Sequence, residues 1–310
     1  MTENISIVRA LSYDPAMIDD ALEKAFCHLL GEAFSFQGER VFIKPNCLIE
    51  SLPEKCELTH PEVIKSLCQM IERKGGVPVV CDSPAFGSLE KILLTLGIKT
   101  WLDEKGIEII DLKKTKKLKD INNITKKPLV LSRDLLEARY VINAPKLKAH
   151  GQMKMSCAVK NMFGAVVGKR KALWHMCSKN DLFAFSELVV RVCYAVHPFL
   201  TVVDAISSLS EKGPRNGTPC LTGLLIAGRD PVEIDCLITK LLGIHPEEIM
   251  TNRMAREKGF GCFRLPNEWQ EEIKSYSLDG FHLPRDLSPI VFRPLRVLRS
   301  VFRHLVAKLR

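Results

Sequence analysis

Tyr140-Val141-Ile142-Asn143-Ala144-Pro145-Lys146-Leu147-Lys148-Ala149-His150-Gly151 passes from an apolar run into a row of cations within a few residues. Tyr140 to Asn143 has the aromatic and β-branched content of a strand. Strand side chains repeat every two residues, so an extended continuation projects Lys146, Lys148 and His150 from one face. A comb of this kind can clamp a phosphate or a carboxylate. A histidine placed among lysines has its charged form disfavoured, which leaves neutral imidazole as a base or a metal ligand.

The basic character extends well beyond the comb. Between Glu137 and Asp181 there is no acid, while Arg139, Lys146, Lys148, Lys154, Lys160, Lys169, Arg170, Lys171 and Lys179 contribute nine positive charges. Solvated surfaces seldom exclude every acid over 43 residues, which favours a ligand site over a merely wet face. Within it, Cys157 to Gly164 reads as a short helix with Lys160 and Asn161 on its polar side. The whole chain carries a net charge of +9, which invites a nucleic-acid reading. Stacking on bases would need aromatics among the lysines, and Phe163 is the only one between Lys146 and Lys171 apart from His150. An anionic small molecule is therefore the expected partner, and nucleic acid is not.

Working outward, apolar runs and helical periods alternate, which predicts an α/β fold with a parallel or mixed sheet and crossover helices. Ser6 to Ala10 and Val41 to Ile43 read as strands around a helix from about Pro15 to Phe34. Thr59-His60-Pro61-Glu62 predicts a helix from Pro61 to Arg73 with Thr59 as its cap. Val77 to Cys81 is a strand that delivers Asp82 and Ser83 at its C-terminal end, where open α/β sheets bind ligands. Those two residues could instead cap the helix from Ser88 to Leu96. Ile107 to Asp111 is a further strand, and Lys113 to Lys119 a solvated run. Phe199 to Val203 is expected to end in Asp204, so three strands ending in Asn or Asp point to one functional edge. Phe42-Ile43-Lys44-Pro45-Asn46 makes the same strand-to-lysine turn as Ile142 to Lys146, and puts Lys44 and Asn46 at that edge. Asp230 is placed to cap a helix beginning at Pro231. The length of 310 residues suits one large domain or two fused α/β lobes, with the polar stretch Lys113 to Lys127 as a weak boundary candidate between lobes.

Several familiar chemistries lack their signatures. No two of the eleven cysteines form a Cys-x-x-Cys pair, which removes the usual ferredoxin and zinc-ribbon spacings. Neither the phosphate-loop nor the dinucleotide fingerprint is present, nor a nucleophile elbow, nor a His-Glu-x-x-His helix. The loop from Glu211 to Gly217 can bring backbone amides near a ligand without being a phosphate loop. No metal ligand set is predicted, and no cofactor is named by the residues. The N-terminal stretch has neither a secretory nor a transit pattern, so a cytoplasmic location with free thiols is expected. At the other end, Val291, Leu295, Leu298, Phe302, Leu305 and Leu309 form one apolar stripe, with Arg293, Arg296, Arg299, Arg303, Lys308 and Arg310 around it. Such a basic amphipathic helix can lie on an anionic membrane at its inner face, pack on a second copy, or pack on the chain itself.

Lys44-Pro45-Asn46, Asp82-Ser83-Pro84, Pro145-Lys146-Leu147-Lys148 with His150, Lys160-Asn161-Met162-Phe163-Gly164, Gly213-Pro214 with Gly217, and Gly228-Arg229-Asp230-Pro231 with Asp235 resemble, in order, the motifs of the family called domain of unknown function 362. The resemblance covers about residues 40 to 262. It implies an α/β fold of mainly bacterial and archaeal distribution, with a distant similarity to nickel-pincer lactate racemases. Relatives in that family often carry ferredoxin-type clusters and an iron-sulfur label, whereas this sequence has no cluster motif. The chain thus divides into a family-like α/β domain over 1–265 and a C-terminal extension over 266–310. The expected site gathers Lys44, Asn46, Ser83, Lys146, Lys148, Lys160, Asn161 and Asp204 as ligand-binding residues, with Asp82 or His150 as proton carrier. Proton-transfer or redox chemistry on a carboxylate or phosphate compound would fit it. A non-catalytic protein that holds a metabolite or assembles a metallocofactor would use the same residues.

Overall fold

The computed structural model describes residues 4–179, 181–263 and 275–287. Its first half alternates β1 (Ile5–Arg9), α1 (Pro15–Leu30), β2 (Arg40–Pro45), α2 (Pro61–Arg73), β3 (Val77–Asp82), α3 (Leu89–Thr95), α4 (Lys99–Glu104) and β4 (Glu108–Asp111). A small antiparallel pair, β5 (Thr115–Ile121) and β6 (Pro128–Ser132), and the short α5 (Arg133–Glu137) lead into β7 (Tyr140–Ala144). Then come β8 (Lys146–His150), β9 (Lys154–Ser156), α6 (Ala158–Asn161), α7 (Arg170–Cys177) and α8 (Leu182–Val196). Two long strands, β10 (Leu200–Ser210) and β11 (Thr218–Gly228), precede α9 (Pro231–Leu241) and α10 (Met250–Glu257).

The main sheet runs β1-β11-β10-β7-β2-β3-β4, with β8 added alongside β10 and β9 paired to β8. Pairings among β10, β7, β2, β3 and β4 are parallel, and those of β11 with β1 and with β10 are antiparallel. The fold is therefore α/β with a mixed sheet. Alternation along the central strands decides which residues face which layer. Val41, Ile43 and Val80 pack against Leu22 and Phe26 of α1 and Ile64 and Leu67 of α2. Phe42, Val79 and Cys81 point the other way, to Phe185, Leu188 and Val192 of α8. The sheet is buried on both faces, as parallel strands with crossover helices require.

Five local features differ from the sequence reading. α2 is capped by His60, whose Nδ1 accepts from the Glu62 amide at 3.2 Å, not by Thr59. The Thr59 hydroxyl is engaged elsewhere, accepting from the Asn46 amide and donating to the Ala144 carbonyl. The helix after β3 is capped by Ser88, so neither Asp82 nor Ser83 has that role. The exposed lysine run after β4 includes strand β5, and Gly31, at φ 85°, ends α1 before Phe34. Asp204 lies inside β10 and not at its end. The reason is that β10 is shared: it pairs with β7 up to Thr201 and then with β8 from Asp204. Pro145, which has no amide hydrogen, separates the two partners while its carbonyl accepts from the Asp204 amide at 2.9 Å. Asp230 does cap α9, accepting from the Val232 and Glu233 amides.

That junction buries an ion pair. Lys146 Nζ lies 2.9 Å from Asp204 Oδ2, with side chains 1% and 0% exposed, so neither charge can turn to water. Asp204 also accepts from the His60 amide and the Tyr13 hydroxyl, both at 2.9 Å. Lys146 donates to the same hydroxyl at 2.6 Å. Burial, reinforced by Asp204, pushes the Tyr13 hydroxyl far above its ordinary pKa and keeps it a donor. His60 stacks on Tyr13 at 3.5 Å, and burial lowers its pKa to about 4, so it is neutral. The cluster ties the start of α2 and the segment before α1 to β8 and β10. Replacing Asp204 by Ala leaves the Lys146 charge buried and alone, and is expected to lower unfolding free energy in urea by about 3–5 kcal/mol. Combining Asp204→Leu with Lys146→Met should restore most of that loss.

Candidate functional site

Beyond the pair, the C-terminal ends of β2 and β3, the β8 comb and α6 enclose a cavity of about 100 Å³. Eight of the ten residues singled out from sequence line it: Lys44, Asn46, Asp82, Ser83, Lys148, His150, Lys160 and Asn161. Lys146 and Asp204 do not, because they are bound to each other at the neighbouring junction. Lys171 of α7 joins the lining, as does Pro214 from the loop before β11. Lys171 belongs to the acid-free run, which was the only sign of it in the sequence.

The lysines of this region differ in what compensates them. Lys44 Nζ is 2.9 Å from Asp82 Oδ1 in a buried pair, and it also donates to the Pro45 carbonyl. Asp82 is fully engaged, since its oxygens also accept from the Ser83 and Cys47 amides at 2.8 and 3.0 Å. Lys148, 1% exposed, has only neutral acceptors: Asn46 Oδ1 at 2.6 Å and the Glu57 carbonyl at 2.8 Å. Lys171 donates to the Ser83 carbonyl. Lys160 Nζ has ring faces beneath it, 4.9 Å from the centre of Phe163 and 5.6 Å from Phe185, and no carboxylate or hydrogen-bond acceptor among the described residues. Among the described residues Asp82 is the sole acid of the lining, and it already holds Lys44, so three lysines there share a cavity without a further carboxylate.

Burial of uncompensated ammonium groups shifts their equilibria. Burial, then the nearby Lys160 charge, lowers Lys148 to about 7. Burial and the Lys44 charge bring Lys160 down to about 8. Lys171 falls to about 7, again through burial, although Asp82 opposes the shift. His150 is held well below its ordinary value by burial and by Lys160 and Lys148, as the sequence led one to expect. Its Nδ1 accepts from the Gln152 and Met153 amides, both at 3.2 Å, so the neutral ring carries its proton on Nε2. The ring thus offers a donor where a base or metal ligand was expected. Among the described residues, no three His, Cys, Asp or Glu side chains converge as a metal site.

A chain of amides fixes the geometry. Because Asn46 Oδ1 accepts from Lys148, its Nδ2 must donate, and it does so to Asn161 Oδ1 at 2.9 Å. Asn161 in turn donates to Asn143 Oδ1 at 2.8 Å, and Asn143 to the Ala158 carbonyl at 2.9 Å. One charged donor therefore orients three side chains across β2, α6 and β7. α6, which carries Lys160, is anchored at its start by the Asp235 carboxylate, which accepts from the Ala158 and Val159 amides at 2.9 and 3.2 Å. Burial raises Asp235 to about 7 against the opposing pull of those amides. Gly164 lets this wall close on the pair behind it, since a Cβ there would collide with the Lys44 side chain and lie 2.8 Å from Asp82 Oδ1.

Comparison with known proteins places this arrangement in a family. A thylakoid-associated protein of Synechocystis sp. is 35% identical over 308 residues, covering 98% of this chain and 95% of that one. Among solved structures, the lactate racemase apoprotein of Thermoanaerobacterium thermosaccharolyticum superposes with a TM-score of 0.45 at 11% identity, over 73% of this chain and 55% of that one. A Thermotoga maritima protein gives 0.44 at 11%, over 69% and 56%. The chain thus spans little more than half the length of either structure. Residues 41–240, which hold every residue of the cavity lining and both partners of the Lys146–Asp204 pair, match the family described as domain of unknown function (DUF362), and the chain belongs to that family.

Proposed function

We propose that this chain binds a small carboxylate or phosphate compound in the cavity between β2, β3, β8 and α6. The observation that carries the reading is Lys160, a cation that lines the cavity with no acceptor or carboxylate of its own among the described residues. An anion there would supply the missing counter-charge for Lys160, Lys148 and Lys171 together, with the His150 Nε2 hydrogen as a further donor. Charge-assisted contacts of this kind contribute roughly 1.5–3 kcal/mol each. The free volume of about 100 Å³ suits a compact anion or the anionic end of a larger compound. Proton transfer is the chemistry that the lining favours. Lys148 and Lys171 change charge near neutrality, whereas both Asp82 oxygens are engaged and the His150 ring already holds its proton. A protein that only holds a metabolite or a metallocofactor would use the same contacts without turnover.

The pH dependence follows from the direction of these shifts. The lysines titrate below their ordinary value of 10.5 when folded, so the unfolded chain binds more protons between about 7 and 10.5. The free protein should therefore gain stability as pH rises through that window. A bound anion favours the charged lysines and works in the opposite direction. Sulfate and small dicarboxylates keep a constant charge over this range, and each should raise the melting temperature near neutral pH. Their affinity should fall by up to tenfold per pH unit above about pH 8 for each lysine that must take up a proton. Lys160→Met should remove most of the stabilisation by sulfate while leaving the ligand-free melting temperature within a few degrees.

A second reading concerns where the chain works, and the 35% identical thylakoid-associated relative is what favours it. The C-terminal stripe lies outside the described residues, so its basis is the sequence: six cations from Arg293 to Arg310 with no acid after Asp286. Among the described residues no helix is long and apolar enough to cross a membrane. We propose that the extension holds the chain at an anionic membrane surface, each cation adding about 1 kcal/mol of attraction. Full-length protein should sediment with vesicles containing anionic lipid at low salt, and truncation after Ser288 should abolish it. A protein that stays in the supernatant with such vesicles assigns the stripe to the chain's own body or to a second copy.

A further inference from the structure

The cavity contains one amine whose environment differs in kind from the others. Lys44, Lys148 and Lys171 each donate to an oxygen, whereas Lys160 meets only the faces of Phe163 and Phe185. Its backbone is held at both ends of the short helix, by Asp235 on the Ala158 and Val159 amides and by the Asn161 side chain on Asn143. An ammonium half-withdrawn from water, with no acceptor among the described residues, is disfavoured relative to the neutral amine, and such a lysine beside other cations is a setting in which a lysine becomes a nucleophile.

We propose that Lys160 forms a Schiff base with a small anion that carries a carbonyl near its charged group, such as a 2-oxo acid or a phosphorylated aldehyde. This rests on the anion-binding reading of the same cavity. The Nζ lone pair adds to the carbonyl carbon, a C–N bond forms, and the carbonyl π pair moves to oxygen. A proton passes from nitrogen to that oxygen to give the carbinolamine. The hydroxyl then takes one proton from the Lys148 or Lys171 ammonium and leaves as water, while the nitrogen lone pair closes the C=N bond. The net change is amine, carbonyl and one proton giving protonated imine and water, with no oxidant or reductant involved. Lys160 titrates at about 8, so roughly a tenth of it is free amine near neutral pH. Lys148 and Lys171, which line the same cavity and titrate at about 7, can supply and recover the proton. The half-open cavity, with about 100 Å³ of free volume, has room for the reacting end of a small oxo acid or phosphorylated aldehyde.

Sodium borohydride supplies a hydride to an imine and makes the linkage permanent. Full-length protein incubated with pyruvate, or separately with glycolaldehyde phosphate, and then reduced should gain one adduct, mapped by peptide mass spectrometry to Lys160. An adduct from pyruvate alone assigns a carboxylate ligand, and one from glycolaldehyde phosphate alone a phosphate ligand; either supports the inference. Lys160→Arg keeps the positive charge, so it should retain part of the sulfate-induced rise in melting temperature and lose the adduct. Stabilisation by sulfate with no adduct, or with adducts scattered over surface lysines, overturns the Schiff base and leaves the anion-binding reading standing. Absence of both the adduct and the sulfate response overturns the two together.

Discussion

Burying a lysine ammonium is among the least favourable things a fold can do, and this fold buries three, Lys44, Lys146 and Lys148, each 1% exposed. Each needs an oxygen in the right place, and the architecture around the strand ends is arranged to supply it. Lys146 has Asp204 and Tyr13. Lys44 has Asp82. Among the described residues, Lys148 has only an amide oxygen and a backbone carbonyl, and half-buried Lys160 has no oxygen. Compensation thus declines from a complete ion pair at the β8–β10 junction to none in the cavity. That decline separates structural lysines from available ones more clearly than burial alone could.

The same constraint explains why so much of the surrounding structure is polar yet rigid. β10 changes partners at Pro145, which brings Asp204 opposite Lys146. The Asn46, Asn161 and Asn143 side chains relay one donor's orientation across β2, α6 and β7, so rotating any one of them leaves a buried amide unmatched. Gly213 allows the loop before β11 to lie against β8, where its carbonyl accepts from the Gly151 amide at 2.9 Å. A side chain at position 213 would run into the Ala149 carbonyl. The residues of the family motifs are therefore largely accounted for by contacts with one another.

Period-two reasoning on Lys146-Leu147-Lys148-Ala149-His150 found a true strand and two true cavity residues, because strand periodicity is a local property. It could not tell Lys146 from Lys148, since the carboxylate that neutralises one of them lies 58 residues away. Asp82 and Ser83 were legible as the end of a buried strand, and Lys44 and Asn46 as its neighbour's counterpart. Asp204 was misplaced within its strand because the partner exchange at Pro145 is a tertiary event. Lys171 was overlooked as a lining residue because α7 approaches Ser83 only through the fold. The cap of α2 was assigned to Thr59 because hydroxyls are the commoner caps, whereas here the hydroxyl bridges two strand-end backbone groups and an imidazole substitutes. His150 was rightly read as neutral, but its proton position depends on two amides that only the turn after β8 aligns.

The account depends on lysines that are partly discharged when the cavity is empty of anion and recharged when it is filled. Calorimetric titration of sulfate near pH 8, repeated in two buffers of different ionisation enthalpy, measures the protons exchanged on binding. The account predicts binding with net proton uptake by the protein, reduced in Lys160→Met. Sulfate binding without proton uptake, or with proton release, would contradict it.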